Sequence, residues 1–422
     1  MYQFQLPARA KTAERATDRP FALPAIVYGI GVSSLLADVS AEMVVSVLPM
    51  YLFGVLQLSP LMVGFLDGIY QGGAALARIA AAMLSDGRFG ARRVALSGYG
   101  LSALSRLLLA SCTIPALMTG FLGAMAALVA DRLGKGIRTA PRDALIAESV
   151  PREHLGLAFG VHRRLDAAGA LLGPLLAAAI LWWLPMRFEV VFLAAAAVSL
   201  PGMLVFWRAT AARKHQPAVA SAPGPGMWSL LRTPWFAQAL LLVGATSLFA
   251  ISDGLFYASI QRGVNLSPEY FPLLSVVSAL GFLLAAAPLG RLADRVGALK
   301  VYLAGNACLA ATYLVWACGG VTSTPVAMAM VLSIGVYYAA TDGVIVAAVA
   351  AALAPELRTR GLALLATAIG GAKFLSSLLF GALWTHWSVT TATLVFAAGL
   401  VLSVAAAALR LRQADAPEMK PC

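Results

Sequence analysis

Charge is scarce in this chain. Only 12% of its 422 residues are Asp, Glu, Lys or Arg, and acids are the scarcer sign, 19 against 31 bases. A mean hydropathy of +0.82 with 60% apolar residues leaves too little polar surface to wrap a soluble core of this size. Histidine and cysteine are equally sparse, four of each, and Cys112, Cys308, Cys318 and Cys422 stand in no C-x-x-C or metal-type spacing. No structural disulfide and no metal site are therefore expected. H-E-x-x-H and G-x-S-x-G are missing, and the Walker pattern fails because Gly136, not Ser or Thr, follows Lys135. The expectation is a protein that is not an enzyme, needs no cofactor and has no room for a nucleotide-driven motor.

Long apolar runs take the place of charge. A helix needs roughly 20 apolar residues to cross a bilayer, and only structures that satisfy their own backbone polar groups survive there. The runs do not alternate as barrel strands would. They give twelve spans, at 23–54, 61–84, 93–111, 114–139, 157–183, 188–207, 236–258, 270–290, 299–318, 324–352, 361–384 and 388–409. An even count puts both termini on one side. About 23 of the 31 Lys and Arg fall in the termini and the loops sharing their side, against Arg187 and Arg262 opposite, which predicts cytoplasmic termini. The bases are spread over many loops, so no nucleic-acid partner is expected. The basic first twenty residues mimic a signal peptide, but the following run continues for about thirty residues and reads as the first span.

The only long polar stretch, 209–235, divides the chain. The expected organisation is a tail at 1–22, six spans in 23–208, a cytoplasmic linker at 209–235, six spans in 236–409 and a tail at 410–422. LSDGRFGARR recurs as LADRVGALK, and PREHLGLA as PELRTRGLA, both offset by roughly 205–208 residues. Matching offsets at two separate loops point to an internal repeat.

GRLADRVGALK, from Gly290 to Lys300, is close to the G-x-x-x-D-R-x-G signature, and Arg132 followed by Gly136 resembles an R-x-x-x-G element. GALLGP, from Gly169 to Pro174, is similar to the first part of the helix-5 element of drug/proton antiporters, with Ala177 and Ala178 replacing its final glycines. On these motifs the chain resembles the major facilitator superfamily along essentially its whole length, and the antiporter-like members in particular. In the loop between the second and third spans it departs from the signature: Ala82 stands where glycine is usual, and one residue is inserted in Asp86-Gly87-Arg88-Phe89-Gly90.

The resemblance implies an all-α integral membrane protein of twelve transmembrane helices in two six-helix pseudo-repeat halves. It implies a secondary transporter working by alternating access, with a small-molecule substrate and protons as partners, acting as a monomer in the bilayer of the bacterial cytoplasmic (inner) membrane. By the same analogy Asp86, Arg88, Asp294, Arg295, Arg138 and Arg142 would be gating residues, with the loop aspartates at helix N-termini. Gly169, Gly173 and Pro174 would give close packing and a local break in the fifth span, and tilt the reading toward efflux. Proton-coupled nutrient uptake and a non-transporting membrane binding or assembly protein are the alternatives.

Ionisable groups at membrane depth cost several kcal/mol, so they line a wet cavity or pair. The acids there are Asp38, Glu42, Asp67, Asp131, Asp166, Asp253 and Asp342, of which all but Asp67 and Asp166 fall on spans 1, 4, 7 and 10, which line the superfamily's central cavity. Asp38 and Glu42 lie four residues apart on one helical face. Such a pair suits proton coupling; the competing reading is a static salt bridge to Arg106 or Lys373. Asp38, Glu42, Arg132, Asp253, Asp342 and Lys373 are the expected substrate-cavity residues. Arg163 and Arg164 could meet Asp131. Acids and bases nearly balance, so the sign of the cargo is open.

Overall fold

The computed structural model describes residues 22–85, 90–112, 120–151, 154–211, 227–320 and 323–415. Thirteen helices follow in chain order among these residues: α1 (Ala25–Met50), α2 (Pro60–Ser85), α3 (Gly90–Ser111), α4 (Gly120–Ala147), α5 (Leu155–Trp183), α6 (Phe188–Ala209), α7 (Pro234–Leu248), α8 (Asp253–Val264), α9 (Leu273–Val296), α10 (Ala298–Val315), α11 (Thr324–Ala352), α12 (Pro355–His386) and α13 (Val389–Asp415). Because α7 and α8 are two pieces of one crossing, they make twelve spans. Ten of these are long and apolar enough to cross a membrane by composition alone. The two that complete the set are α2 and α4, the latter carrying the charged run from Asp131 to Arg142.

Three boundaries differ from the sequence reading. The fourth span does not end near residue 139. Helix α4 runs on to Ala147 through Gly134, Gly136 and Pro141, so the charge-rich segment after Ala130 is helical and not a loop. A backbone that keeps its own hydrogen bonds tolerates one proline. The seventh span, expected as continuous, is interrupted between Leu248 and Asp253. The fifth, expected to break locally at Pro174, is unbroken from Leu155 to Trp183.

The signature loop explains its own glycine. Gly297 joins α9 to α10 with φ +99°, and Gly90 opens α3 at the equivalent place in the first half with φ +71°. A side chain at either position would strain the turn.

The first half packs α1 closely on α5 and α6, and α4 on α2 and α3. The halves meet mainly between α2 and α12. A Cβ added at Gly68 would lie 2.9 Å from the Phe374 carbonyl oxygen, and one at Gly72 would lie 3.0 Å from that of Gly370. Small residues let the two backbones touch. The remaining cross-half contacts cluster at the end of the bundle away from the termini. The Leu61 amide donates to Thr385 Oγ1 at 2.8 Å. Trp182 stacks edge-on against Tyr270 at 5.4 Å. The Arg262 guanidinium lies 4.5 Å from the Phe53 ring and 5.2 Å from the Trp384 ring, and Phe53 is presented by a π-helical turn, Tyr51–Val55, that ends the first span. At the opposite end, the end of α9 and the start of α5 are largely exposed. The halves are thus joined at the far end by these contacts.

Gly68→Leu cannot be accommodated without separating α2 from α12, a strain of about 1–3 kcal/mol. The expected result is a lower melting temperature of the purified protein, and an unchanged one would show that the two helices have slack at this contact.

Candidate functional site

The first wall is built by one face of α4. Asp131, Arg132, Lys135, Arg138 and Arg142 recur at helical spacing and turn inward; all but Lys135 are buried, and Lys135 is half-buried. Burying this many charges requires partners. Arg106 of α3, only 2% exposed, donates from Nη1 to Asp131 Oδ1 at 3.0 Å. Arg132 donates from Nε to Asp131 Oδ2 at 3.1 Å, and its guanidinium lies 3.5 Å from the centre of the Tyr70 ring of α2. Arg138 approaches Asp38 Oδ1 of α1 at 3.6 Å. Arg142 donates to Ser34 Oγ at 3.0 Å and pairs with Asp143 at 2.8 Å.

Asp38 and Glu42 sit one turn apart on α1, both half-buried. Glu42 has no ion-pair partner among the described residues. The static bridge to Arg106 or Lys373, the competing reading, is not formed among the described residues; Arg138 approaches Asp38 instead. Behind the pair lies α5. A Cβ on Gly169 would come 3.1 Å from the Asp38 Cβ, and one on Gly173 would come 2.7 Å from the Glu42 Cβ. The helix-5 glycines therefore pack directly against the two carboxylate-bearing residues, although Pro174 produces no break.

The second wall centres on the interruption in the seventh span. Ser252 caps α8 by accepting from the Leu255 amide, so Asp253 is the first residue of that helix, where the dipole favours a negative charge. Asp253 Oδ1 accepts from Tyr338 Oη of α11 at 2.8 Å. Lys373 of α12 lies 5.5 Å from the Tyr338 ring and forms no ion pair among the described residues. Asp342, one turn beyond Tyr338 on α11, is exposed. Asp67 of α2 reaches across the halves and accepts from Ser377 Oγ of α12 at 2.6 Å. Gln71, Ser252, Tyr338, Lys373 and Ser377 enclose a small cavity of about 10 Å³ at this junction, the room that one water needs.

The sequence model of the Major Facilitator Superfamily matches residues 30–259 and 250–421. The chain belongs to that superfamily. An uncharacterized MFS-type transporter of Methanocaldococcus jannaschii is 27% identical over 85% of this chain and 88% of its own length. An uncharacterized protein of Mycobacterium tuberculosis is 29% identical over 64% of this chain and 65% of its own. Among solved structures, the nucleoside transporter NupG superposes with a TM-score of 0.71 at 14% identity, covering 92% of this chain and 99% of its own. A bacterial homologue of the human lysosomal transporter Spinster, in an inward-facing and unoccupied conformation, gives 0.70 at 15%, covering 92% and 96%. At such identity the likeness shows the fold and nothing of the cargo. The protein is a membrane transporter of the MFS type with twelve helices in two halves.

Within that family frame, the residues singled out from sequence take different places. Asp38, Glu42, Arg132, Asp253 and Lys373 stand on the facing walls, with Asp342 next to them on α11. Arg138 and Arg142, expected as gating residues, bind only partners in their own half, Asp38, Ser34 and Asp143. Asp294 and Arg295 are exposed in the last turn of α9, not at a helix N-terminus as expected. Asp86 and Arg88 lie outside the described residues, as does the side chain of Arg78. Arg163 and Arg164 are exposed and do not meet Asp131, since α5 packs behind α1 while Asp131 faces α3. Tyr338 and Ser377 were not singled out from sequence. The signal for Tyr338 was its spacing, four residues before Asp342 and so on the same face; Ser377 carries none.

Asp131→Asn removes the charge that holds Arg106 and Arg132. Stripping one partner from a buried ion pair costs about 3–5 kcal/mol, so the variant should melt markedly lower. Replacing the whole triad, Arg106→Met, Asp131→Leu and Arg132→Met together, should recover much of that loss, and failure to recover would mean that the cluster does more than neutralise itself.

Proposed function

We propose that this chain is a proton-coupled exporter of a small organic molecule, seated in the bacterial cytoplasmic membrane with both termini cytoplasmic, and that Asp38 and Glu42 carry the coupling proton. The observation that carries the reading is the packing of Gly169 on Asp38 and Gly173 on Glu42. The helix-5 element resembles that of drug/proton antiporters, and here its glycines touch the residues whose carboxylates are spaced for proton exchange. Any movement of α5 against α1 changes the surroundings of both acids. Charged groups from both halves face one another behind the far-end closure, which suits a site opened alternately to either side.

In operation, cargo enters from the terminal end and settles between Arg132 and Lys135 on one wall and Asp253, Asp342 and Lys373 on the other. Rocking of the halves releases the far-end contacts, cargo leaves, and a proton taken up by the Asp38/Glu42 pair resets the protein. The bias needed for this step is a difference in affinity between two states, supplied by protonation of a pair that prefers one of them.

The test uses everted vesicles containing the full chain, an imposed pH gradient, and a panel of dyes, antibiotics and organic anions. A cargo of the wild type is expected to dissipate the gradient as it moves. Glu42→Gln and Asp38→Asn should abolish that coupled proton movement while leaving cargo-for-cargo exchange intact. Coupled movement that survives in both variants sinks the assignment to the first span, and accumulation of cargo in the same direction as the proton would make the protein an importer.

A further inference from the structure

A groove of about 660 Å³ opens on the outer flank of the second half, between α7, α11 and α13, with Leu299 of α10 at its edge. It is a site apart from the one between the halves. Its lining is apolar and small, with Ala239, Ala348 and Ala406 typical; Gln238 and Ser403 supply its polar side-chain atoms, and no charged residue enters it.

In the first half α1, α3, α4 and α6 close on one another through Ile30, Tyr99, Ile146 and Phe206, all buried. In the second half Phe236, Val243, Tyr302 and Ile345 form the corresponding buried cluster, but α7 packs more sparsely on α12 and α13 than α1 does on α5 and α6, and alanines of α7, α11 and α13 line the space left beside it. Leu241 and Leu402, each 69% exposed, form its rim on the outer face of the bundle. A void of this size forfeits dispersion contacts along its whole lining. An apolar cavity is a poor host for water, and its exposed leucine rim on membrane-spanning helices suits hydrocarbon. Its mouth is at the terminal end, where Trp235 lines it, Arg232 stands exposed one turn earlier, and Lys300 stands exposed beside Leu299. Tryptophan at the headgroup level and bases beside it are the means by which membrane proteins hold anionic lipids.

We propose that this groove is a binding site for an anionic bilayer phospholipid, with one acyl chain lying along the alanines and the phosphate held by Arg232 and Lys300. The lipid thereby fills the gap behind α7, the half-helix that leads into the interruption before Asp253.

Native mass spectrometry of the full chain purified in mild detergent should show one retained phospholipid. Delipidated protein should be stabilised by added dioleoyl phosphatidylglycerol more than by dioleoyl phosphatidylcholine. Arg232→Gln and Lys300→Gln should each weaken the phosphatidylglycerol preference about fivefold, the contribution of one base near an anionic headgroup. Ala348→Phe and Ala406→Leu should eject the lipid from a protein that still melts cooperatively. If those two variants do not fold, the comparison of the two lipids decides alone. Equal stabilisation by both lipids, a retained lipid that persists in a folded groove-filled variant, or displacement of the lipid by a transported compound would each overturn the proposal.

Discussion

A charge placed in hydrocarbon must find a partner or water, and the arrangement of this protein follows from how that demand is met differently in its two halves. In the first half it is met by pairing. Arg106, Asp131 and Arg132 neutralise one another at the joint of α3 and α4, Tyr70 covers the exposed face of one guanidinium, and Arg138 leans on Asp38. These contacts tie α1, α2, α3 and α4 together from the inside. In the second half the demand is left partly open. Asp253 has a hydroxyl and a helix end, Asp342 faces accessible space, and Lys373, beside the Tyr338 ring, closes no ion pair among the described residues.

Packing differs as well. The first half closes around bulky side chains, with Tyr99 and Phe206 in contact at 5.0 Å. The second half buries Phe236 and Tyr302 in its corresponding cluster, but its seventh span is cut in two. Breaking a helix at membrane depth exposes backbone groups that need replacement partners. They are supplied locally: Tyr313 Oη accepts from the Ile251 amide at 2.8 Å, and Ser376 Oγ donates to the Ala250 carbonyl at 2.6 Å. The interruption is therefore a fixed feature with its own hydrogen bonds, and it delivers Asp253 to the front of α8.

Much of the fold was legible because hydropathy and the bilayer constraint allow few alternatives: twelve spans, two halves and a repeated loop with a glycine at its turn. The interruption after Leu248 was not, since Phe249 to Ser252 carries no proline or glycine and the run stays apolar throughout. Its cause lies in Tyr313 and Ser376, which are distant in sequence. The continuity of α4 past residue 139 was missed for the opposite reason: charge and two glycines suggested water, whereas the charges are satisfied inside the bundle. For the site, the residue types were readable but not the pairings. Sequence spacing places Asp38 and Glu42 on one face; it does not reveal that Arg138 reaches only the first of them, or that Asp67 binds a serine of the other half.

That difference between the two acids of α1 is one of anchoring. Asp38 has a guanidinium at 3.6 Å and is thereby tied to α4, whereas Glu42, one turn further along the helix, forms no ion pair among the described residues. Behind both runs α5, where a Cβ on Gly169 or Gly173 would collide with the Cβ of Asp38 or Glu42. The missing side chains at those two positions let α1 and α5 run in contact. The face of α1 that carries both acids is therefore fixed on one side by α5 and, at Asp38, on the other by α4.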